Sequence, residues 1–242
     1  VLRFLRGRAK FYVAHQPWAQ MKRDCQDEDR TLSRQSLALS AAQHRAMVRE
    51  LEEQVKPENR RYSYHHYWNN CATRPRDLLD QVLSGEVRRR LGKRPPRATL
   101  RQLNRLGFTG RVVQPLTDLV LGKPGERLLS IYEEGFVPGY LSESLQLSGL
   151  AGAPLHVYKR KGATLHDRDP NLGLKLLCAA ALLALALALA LARLARGPRP
   201  SRLAGLPLAL LALLCGLPSL LVWGLVLVTH LPELRQNELI FA

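Results

Sequence analysis

Cys71 follows two asparagines, Asn69 and Asn70, and precedes the run Ala72-Thr73-Arg74-Pro75-Arg76-Asp77, with an aromatic stretch from Tyr62 to Trp68 behind it. Pro75 fixes the local geometry. Proline is harmless only in the first turn of a helix, so a helix carrying Leu78, Leu79, Val82 and Leu83 has its N-cap between Cys71 and Thr73. A thiol there meets the positive end of the helix macrodipole and backbone N–H groups that lack an intrahelical acceptor, which favours the reactive thiolate. Arg74 and Arg76, a turn away, add positive charge. The same N–H groups, that of Ala72 among them, can donate to the oxyanion formed when a thiolate attacks an ester or amide carbonyl. One short segment therefore offers a nucleophile in Cys71, oxyanion and charge-tuning groups in Ala72, Arg74 and Arg76, and turn-positioning residues in Asn70 and Thr73.

Structural roles compete with each of these. Cys71 could be a small buried apolar residue, or half of a disulfide with Cys25 in an oxidising compartment. Asn69 and Asn70 could be plain turn and cap residues, and the tyrosines a packed strand. Four cysteines are too few for a disulfide framework in 242 residues. Cys178 and Cys215 lie in apolar runs, which leaves Cys25 as the one soluble partner for Cys71.

Two apolar segments dominate the C-terminal third. Residues 176–192 are 17 consecutive apolar residues, extended by Leu172 to Lys175, and residues 204–229 hold no charge in 26 positions. Both are long enough to cross a bilayer, and Pro207 and Pro218 are expected to kink the second. Between them lie Arg193, Arg196, Arg199 and Arg202 with no acid, a short loop of the kind retained in the cytoplasm. The large N-terminal part, residues 1–170, and the tail 230–242 would then face the periplasm of a bacterium. The expected organisation is a periplasmic thiol domain (1–170), a span (172–192), a cytoplasmic basic loop (193–203), a second span (204–229) and a periplasmic tail.

Net charge is +16. From Asn171 onward six basic and two acidic residues give +4, which leaves +12 on residues 1–170. Such a surplus suits nucleic acid or anionic lipid; a membrane tether brings lipid head groups closer, and no nucleic-acid motif accompanies the basic clusters at 88–90 and 93–97. The reading excludes nucleic acid and calls for no metal and no cofactor.

Within residues 1–170 the pattern is mostly helical. Ser40 and Gln43 form a capping-box signature ahead of Met47, Leu51 and Val55, in a helix ended by Pro57. Shorter helices are predicted over 99–106, 115–121 and 126–134, and strands over 155–161 and from Tyr62 to Trp68. Glycine and proline mark breaks at 107–110, 122–125 and 138–139.

Tyr62-Ser-Tyr64 followed by Asn70-Cys71-Ala72-Thr73-Arg74-Pro75-Arg76-Asp77-Leu78-Leu79 closely resembles the signature of the Lnb-type N-terminal periplasmic domain family, which includes bacterial lipoprotein N-acyltransferases. Phe4-Leu5-Arg6-Gly7, Pro57-Glu58-Asn59-Arg60, Leu121-Gly122-Lys123-Pro124 and Phe136-Val137-Pro138 resemble it too, as does the tail from Thr229 to Asn237. The resemblance implies a helix-rich α+β fold, permuted papain-like, in which Cys71 is the catalytic cysteine and its partner histidine precedes it in a Gly-His motif. No Gly-His precedes Cys71 here, so the histidine is expected upstream of Val1, with the first part of the domain missing. His65 and His66 are too close in a strand to turn towards the sulfur, and His15, His44, His156 and His166 stand in ordinary contexts.

The expected function is a membrane-anchored cysteine acyltransferase that moves an acyl chain from phospholipid to the N-terminal amine of a diacylated lipoprotein through a thioester on Cys71. Tyr62, Tyr64 and Trp68 would border the acyl groove. A papain-like cell-wall amidase or peptidase, and a non-catalytic membrane scaffold, are the alternatives.

Overall fold

The computed structural model describes residues 8–107, 114–163, 169 and 171–195, with single positions at 209, 216, 220, 223 and 224. The chain forms two compact units, one from residues 1–103 and 126–163, the other from 104–125 and 164–242. The architecture is mixed helix and sheet, and rich in helix.

Short antiparallel pairings tie the first unit together across long stretches of sequence. β1 (Lys10–Tyr12) pairs with β3 (Arg61–Ser63), β2 (Leu32–Arg34) with β6 (Leu155–Tyr158), and β4 (Ala98–Thr99) with β5 (Leu128–Leu129). Between them run α1 (Trp18–Asp27), α2 (Ala41–Val55), α3 (Thr73–Val82), α4 (Glu86–Leu91), α7 (Ile131–Glu134) and α8 (Pro138–Leu147). The capping box that opens α2 is formed: Ser40 Oγ accepts the Gln43 N–H at 3.2 Å and Gln43 Oε1 accepts the Ser40 N–H at 2.8 Å. Two N–H groups are satisfied reciprocally by the two side chains, which starts this helix from short-range sequence alone.

The core sits where α3, α4, α7 and α8 converge. Leu79, Leu83, Val87, Leu91, Ile131, Tyr132 and Leu145 pack together, with Met47 of α2 against them. Leu79 and Leu83 are one helical turn apart, so α3 presents one apolar stripe inward and leaves its other side free for the site. Burial of a leucine of this kind contributes about 2 kcal/mol.

Two predicted elements are corrected. The stretch 126–134 is not one helix but a 3₁₀ turn (Lys123–Glu126), β5 and α7. Ser130 and Glu133 form a second capping box, with bonds of 2.9 and 3.3 Å, and so restart the helix at Ile131. The strand from Tyr62 to Trp68 stops at Ser63. Beyond it the backbone turns back on itself, His65 and Asn69 exchanging both N–H···O bonds at 3.0 Å. Strand 155–161 is observed as β6, which ends at Tyr158.

The exit of β6 is held by Asp29, which sits at φ 48°, a left-handed conformation that aspartate tolerates. Its carboxylate accepts the Tyr158 hydroxyl at 2.7 Å and the backbone N–H groups of Lys161 and Gly162 at 2.9 and 2.8 Å. A Cβ at position 162 would fall 2.9 Å from Asp29 Oδ2, so a side chain there would have to displace the carboxylate. The Lys161 N–H first, then Tyr158 and the Gly162 N–H, hold the Asp29 carboxyl down at about 2.

In the second unit, α5 (Leu100–Leu106), which begins in the first, is linked to α6 (Gln114–Leu121) by an Arg105–Asp118 ion pair of 2.9 Å, and α6 lies beside α9 (Leu172–Ala195). Leu172–Ala190 of α9 has a mean hydropathy of 2.4 and is long enough to cross a membrane. The first predicted span is therefore one continuous apolar helix. The second span (204–229), apart from its five helical single positions, the basic loop after Ala195, the tail, and the segments at 4–7 and 164–168 with His166 lie outside the described residues.

Candidate functional site

Asn70 begins the helix that carries Cys71. Its Oδ1 accepts the N–H groups of Ala72 at 2.8 Å and Thr73 at 2.9 Å, while Thr73 Oγ1 accepts the Asn70 N–H at 2.7 Å. The first helical backbone bond runs from the Arg74 N–H to the Asn70 carbonyl, 3.1 Å. Asn70 is thus the functional cap, Cys71 the first residue after it, and the regular helix is established by Thr73. Asparagine suits the position because its amide does two jobs. Nδ2 donates to the carbonyls of His66 at 2.6 Å and Phe136 at 3.0 Å, which pins the cap to two neighbouring segments.

This geometry revises the expected oxyanion donors. The Ala72 N–H is spent on Asn70 Oδ1 and cannot serve an oxyanion without breaking the cap. Among the described residues, the N–H of Cys71 itself has no acceptor. It is the unpaired donor of the first turn, next to the sulfur.

Cys71 is exposed and its thiol is free, as is that of the buried Cys25, so neither the buried role nor the disulfide describes it. The sulfur opens into a cleft of about 380 Å³ whose walls include Tyr12, Leu51, Gln54, Tyr62 and Arg74. Of the residues singled out from sequence, Tyr62 and Arg74 share this cleft with Cys71. Arg74 lies with its guanidinium carbon 4.4 Å from the centroid of the Tyr62 ring and donates from Nη2 to Gln54 Oε1. Stacking and bonding fix the plane of the guanidinium and leave further N–H donors on it. Burial pushes the Tyr62 phenol up, Cys71 adds to the shift and Arg74 offsets it; burial and Cys71 likewise raise Tyr64. Both phenols are therefore protonated donors near neutral pH.

Arg76 is placed elsewhere. It is buried, its Nε and Nη2 on Asp77 at 2.8 and 2.7 Å, its Nη1 on the Tyr132 carbonyl at 2.9 Å, and its guanidinium 4.1 Å over the Tyr132 ring. Its charge is directed to the core side of α3, not to the thiol, because residues 74 and 76 project about 200° apart around a helix. Trp68 is not among the cleft walls either: it lies against the Arg127 guanidinium, whose carbon is 5.0 Å from the Trp68 ring centroid. Tyr64 stacks on Phe11 at 4.3 Å between ring centroids.

No histidine lines the cleft among the described residues. His65 packs against Tyr67 and Trp68, and His156 Nδ1 is 2.8 Å from Ser33 Oγ. His66 Nδ1 lies 3.3 Å from the Tyr64 hydroxyl; desolvation by packed neighbours, then His65, lowers its pKa. No group of histidine, cysteine and carboxylates with metal-binding geometry occurs among the described residues. Sequence reasoning missed Tyr12, Leu51 and Gln54. Leu51 and Gln54 share a face of α2 at i, i+3 spacing, which gave a signal; Tyr12 reaches the cleft only through the β1–β3 pairing.

Residues 1–105 match the model of the family described as the Lnb N-terminal periplasmic domain. No curated protein and no solved structure matches the chain. A periplasmic domain together with one apolar helix fits a membrane-anchored protein with a periplasmic domain.

Proposed function

We propose that the protein is a cysteine acyltransferase of the bacterial inner membrane, with a permuted papain-like thiol domain in the periplasm on a two-helix anchor. It takes an acyl chain from a glycerophospholipid and gives it to the N-terminal amine of a diacylated lipoprotein, and needs no cofactor. In the first step the Cys71 thiolate attacks the ester carbonyl, a C–S bond forms, the ester C–O bond breaks, and the lysophospholipid leaves as an alcohol after taking a proton. In the second the α-amine attacks the thioester, the amide C–N bond forms, the C–S bond breaks, and the amine proton returns to the system with the released thiol. The family resemblance implies a histidine as the proton acceptor.

The observation that carries this reading is the free, exposed Cys71 thiol directly after the Asn70 cap, in a cleft walled by tyrosines, a leucine and Arg74. The unpaired Cys71 N–H is placed to donate to the tetrahedral oxyanion, a contribution of about 3 kcal/mol where such a donor is removed. Nucleic acid has no part in the reading.

The test is capture of the intermediate. Full-length protein in membranes with radiolabelled phospholipid should gain a hydroxylamine-sensitive label on Cys71, chased by a diacylated lipopeptide. Cleavage of cell-wall peptide with no acyl adduct would point instead to an amidase, and neither outcome would leave a scaffold.

A further inference from the structure

We infer that the β1–β3 ribbon at the mouth of the cleft is a docking surface for an anionic phospholipid bilayer. The register pairs Lys10 with Ser63, Phe11 with Tyr62 and Tyr12 with Arg61. Opposed residues share a face and alternate along each strand, so Lys10, Tyr12 and Arg61 lie on one face and Phe11 and Tyr62 on the other. Tyr12, on the face with Lys10 and Arg61, is 68% exposed although it is a large aromatic within a strand. Trp18, 50% exposed, follows at the start of α1. Rings with an apolar body and a polar edge settle at the boundary between head groups and water.

The charges beside these rings are equally unspent. Arg8, Lys10, Arg60 and Arg61 are exposed, and none forms an ion pair among the described residues. Several other arginines of the same unit do find carboxylates: Arg89 and Arg90 hold Glu86, Arg97 holds Glu134 and Glu143, and Arg127 holds Glu133. Each basic residue at an anionic surface raises partitioning roughly fivefold. Covalent reach supplies the remaining argument: 13 residues, 159–171, separate β6 from the apolar helix at Leu172, an extended length of roughly 45 Å at most. Unpaired cations, exposed interfacial rings and a short tether converge on one occupant, the lipid surface itself. Because Tyr12 and Tyr62 also wall the cleft, docking would turn its mouth towards the bilayer. The inference does not depend on acyl transfer.

The experiment uses the full chain in nanodiscs, with a photo-crosslinker introduced as Tyr12→benzoylphenylalanine and, for reference, at the exposed Leu147 of α8. In discs of phosphatidylglycerol and phosphatidylcholine, irradiation should give about tenfold more lipid adduct at position 12 than at 147. The yield should fall fivefold or more in phosphatidylcholine alone, or on combining Lys10→Gln, Arg60→Gln and Arg61→Gln. Cys71→Ser should leave it unchanged, which separates this result from the fate of the acyltransferase reading. Equal yields at the two positions, indifference to anionic lipid, or cross-links to a second copy of the chain would overturn the inference. Amide hydrogen exchange of the unmodified chain in the same discs gives an independent reading: slower exchange at 8–13 with phosphatidylglycerol supports docking, and unchanged exchange opposes it.

Discussion

Arg74 and Arg76 stand two residues apart on one helix and do opposite things. Arg74 lies over Tyr62 in the cleft, bonded to Gln54, with donors to spare. Arg76 is buried over Tyr132, its donors shared between Asp77 and a backbone carbonyl. The contrast divides the segment from Asn70 to Leu79 into a side that meets solvent and ligand and a side that holds the helix in place. A short run of identical-looking residues therefore carries both chemistry and architecture, and helical phase decides which residue does which.

Removing the sulfur should give the largest effect. Cys71→Ser is expected to abolish the acyl-thioester and lower transfer about a thousandfold or more, whereas Cys25→Ser, in the buried site, should leave transfer near that of the parent; equal losses would erase the distinction between the two cysteines. Next come the two arginines, measured by urea unfolding beside turnover. Arg76→Ala takes the donor from the Tyr132 carbonyl, leaves Asp77 with the Tyr132 hydroxyl alone, and should cost about 3 kcal/mol of stability. Arg74→Ala should cost less than about 1 kcal/mol while lowering transfer roughly tenfold. A reversed order would show that the two sides of α3 have been assigned the wrong way round.

Asn70 joins the sides, so its variants sharpen the boundary. Asn70→Ala loses the cap and both carbonyl contacts and should destabilise by about 2 kcal/mol. Asn70→Asp keeps the acceptor for Ala72 and Thr73 but not the donor to His66 and Phe136, and should fall between the parent and alanine in both stability and thiol reactivity towards iodoacetamide. The smallest effect is a pH dependence confined to the core side. Burial, followed by its hydrogen bond to Asp77, pushes the Tyr132 phenol up to about 12 from an ordinary 10. The folded state thus holds a proton that the unfolded chain gives up, and the contribution is complete below pH 10 and lost as pH rises towards 12. Tyr132→Phe should flatten the stability profile in that window; a profile unchanged by the substitution would sever Tyr132 from the Arg76 cluster.

What could be read from sequence follows the range of the interactions. The Ser40–Gln43 capping box and the Pro75 limit on the start of α3 are local, and α2 and α3 appear within a residue or two of where they were placed. Ser130 and Glu133 offered the same kind of signal for α7, inside the single helix expected over 126–134. Pairings such as Phe11 with Tyr62, 51 positions apart in sequence, leave no local trace in three-residue strands, so Tyr12 could not be placed in the cleft. Cys71 and Arg74 were legible because a helix start fixes direction. For Arg76 and Ala72, position along the chain shows nearness to the sulfur, but not that one side chain turns to the core or that Asn70 takes the other's N–H.

The three hydrogen bonds on the Asp29 carboxylate close around the chain from the last residue of β6 to four residues beyond it, on the stretch leading to the apolar helix. Any pull transmitted along that leash from a moving membrane arrives at this clasp before it reaches the β2–β6 ladder. The domain can then be jostled by its anchor without its sheet being peeled from the end, and acid would loosen the clasp only as the medium approaches about pH 2.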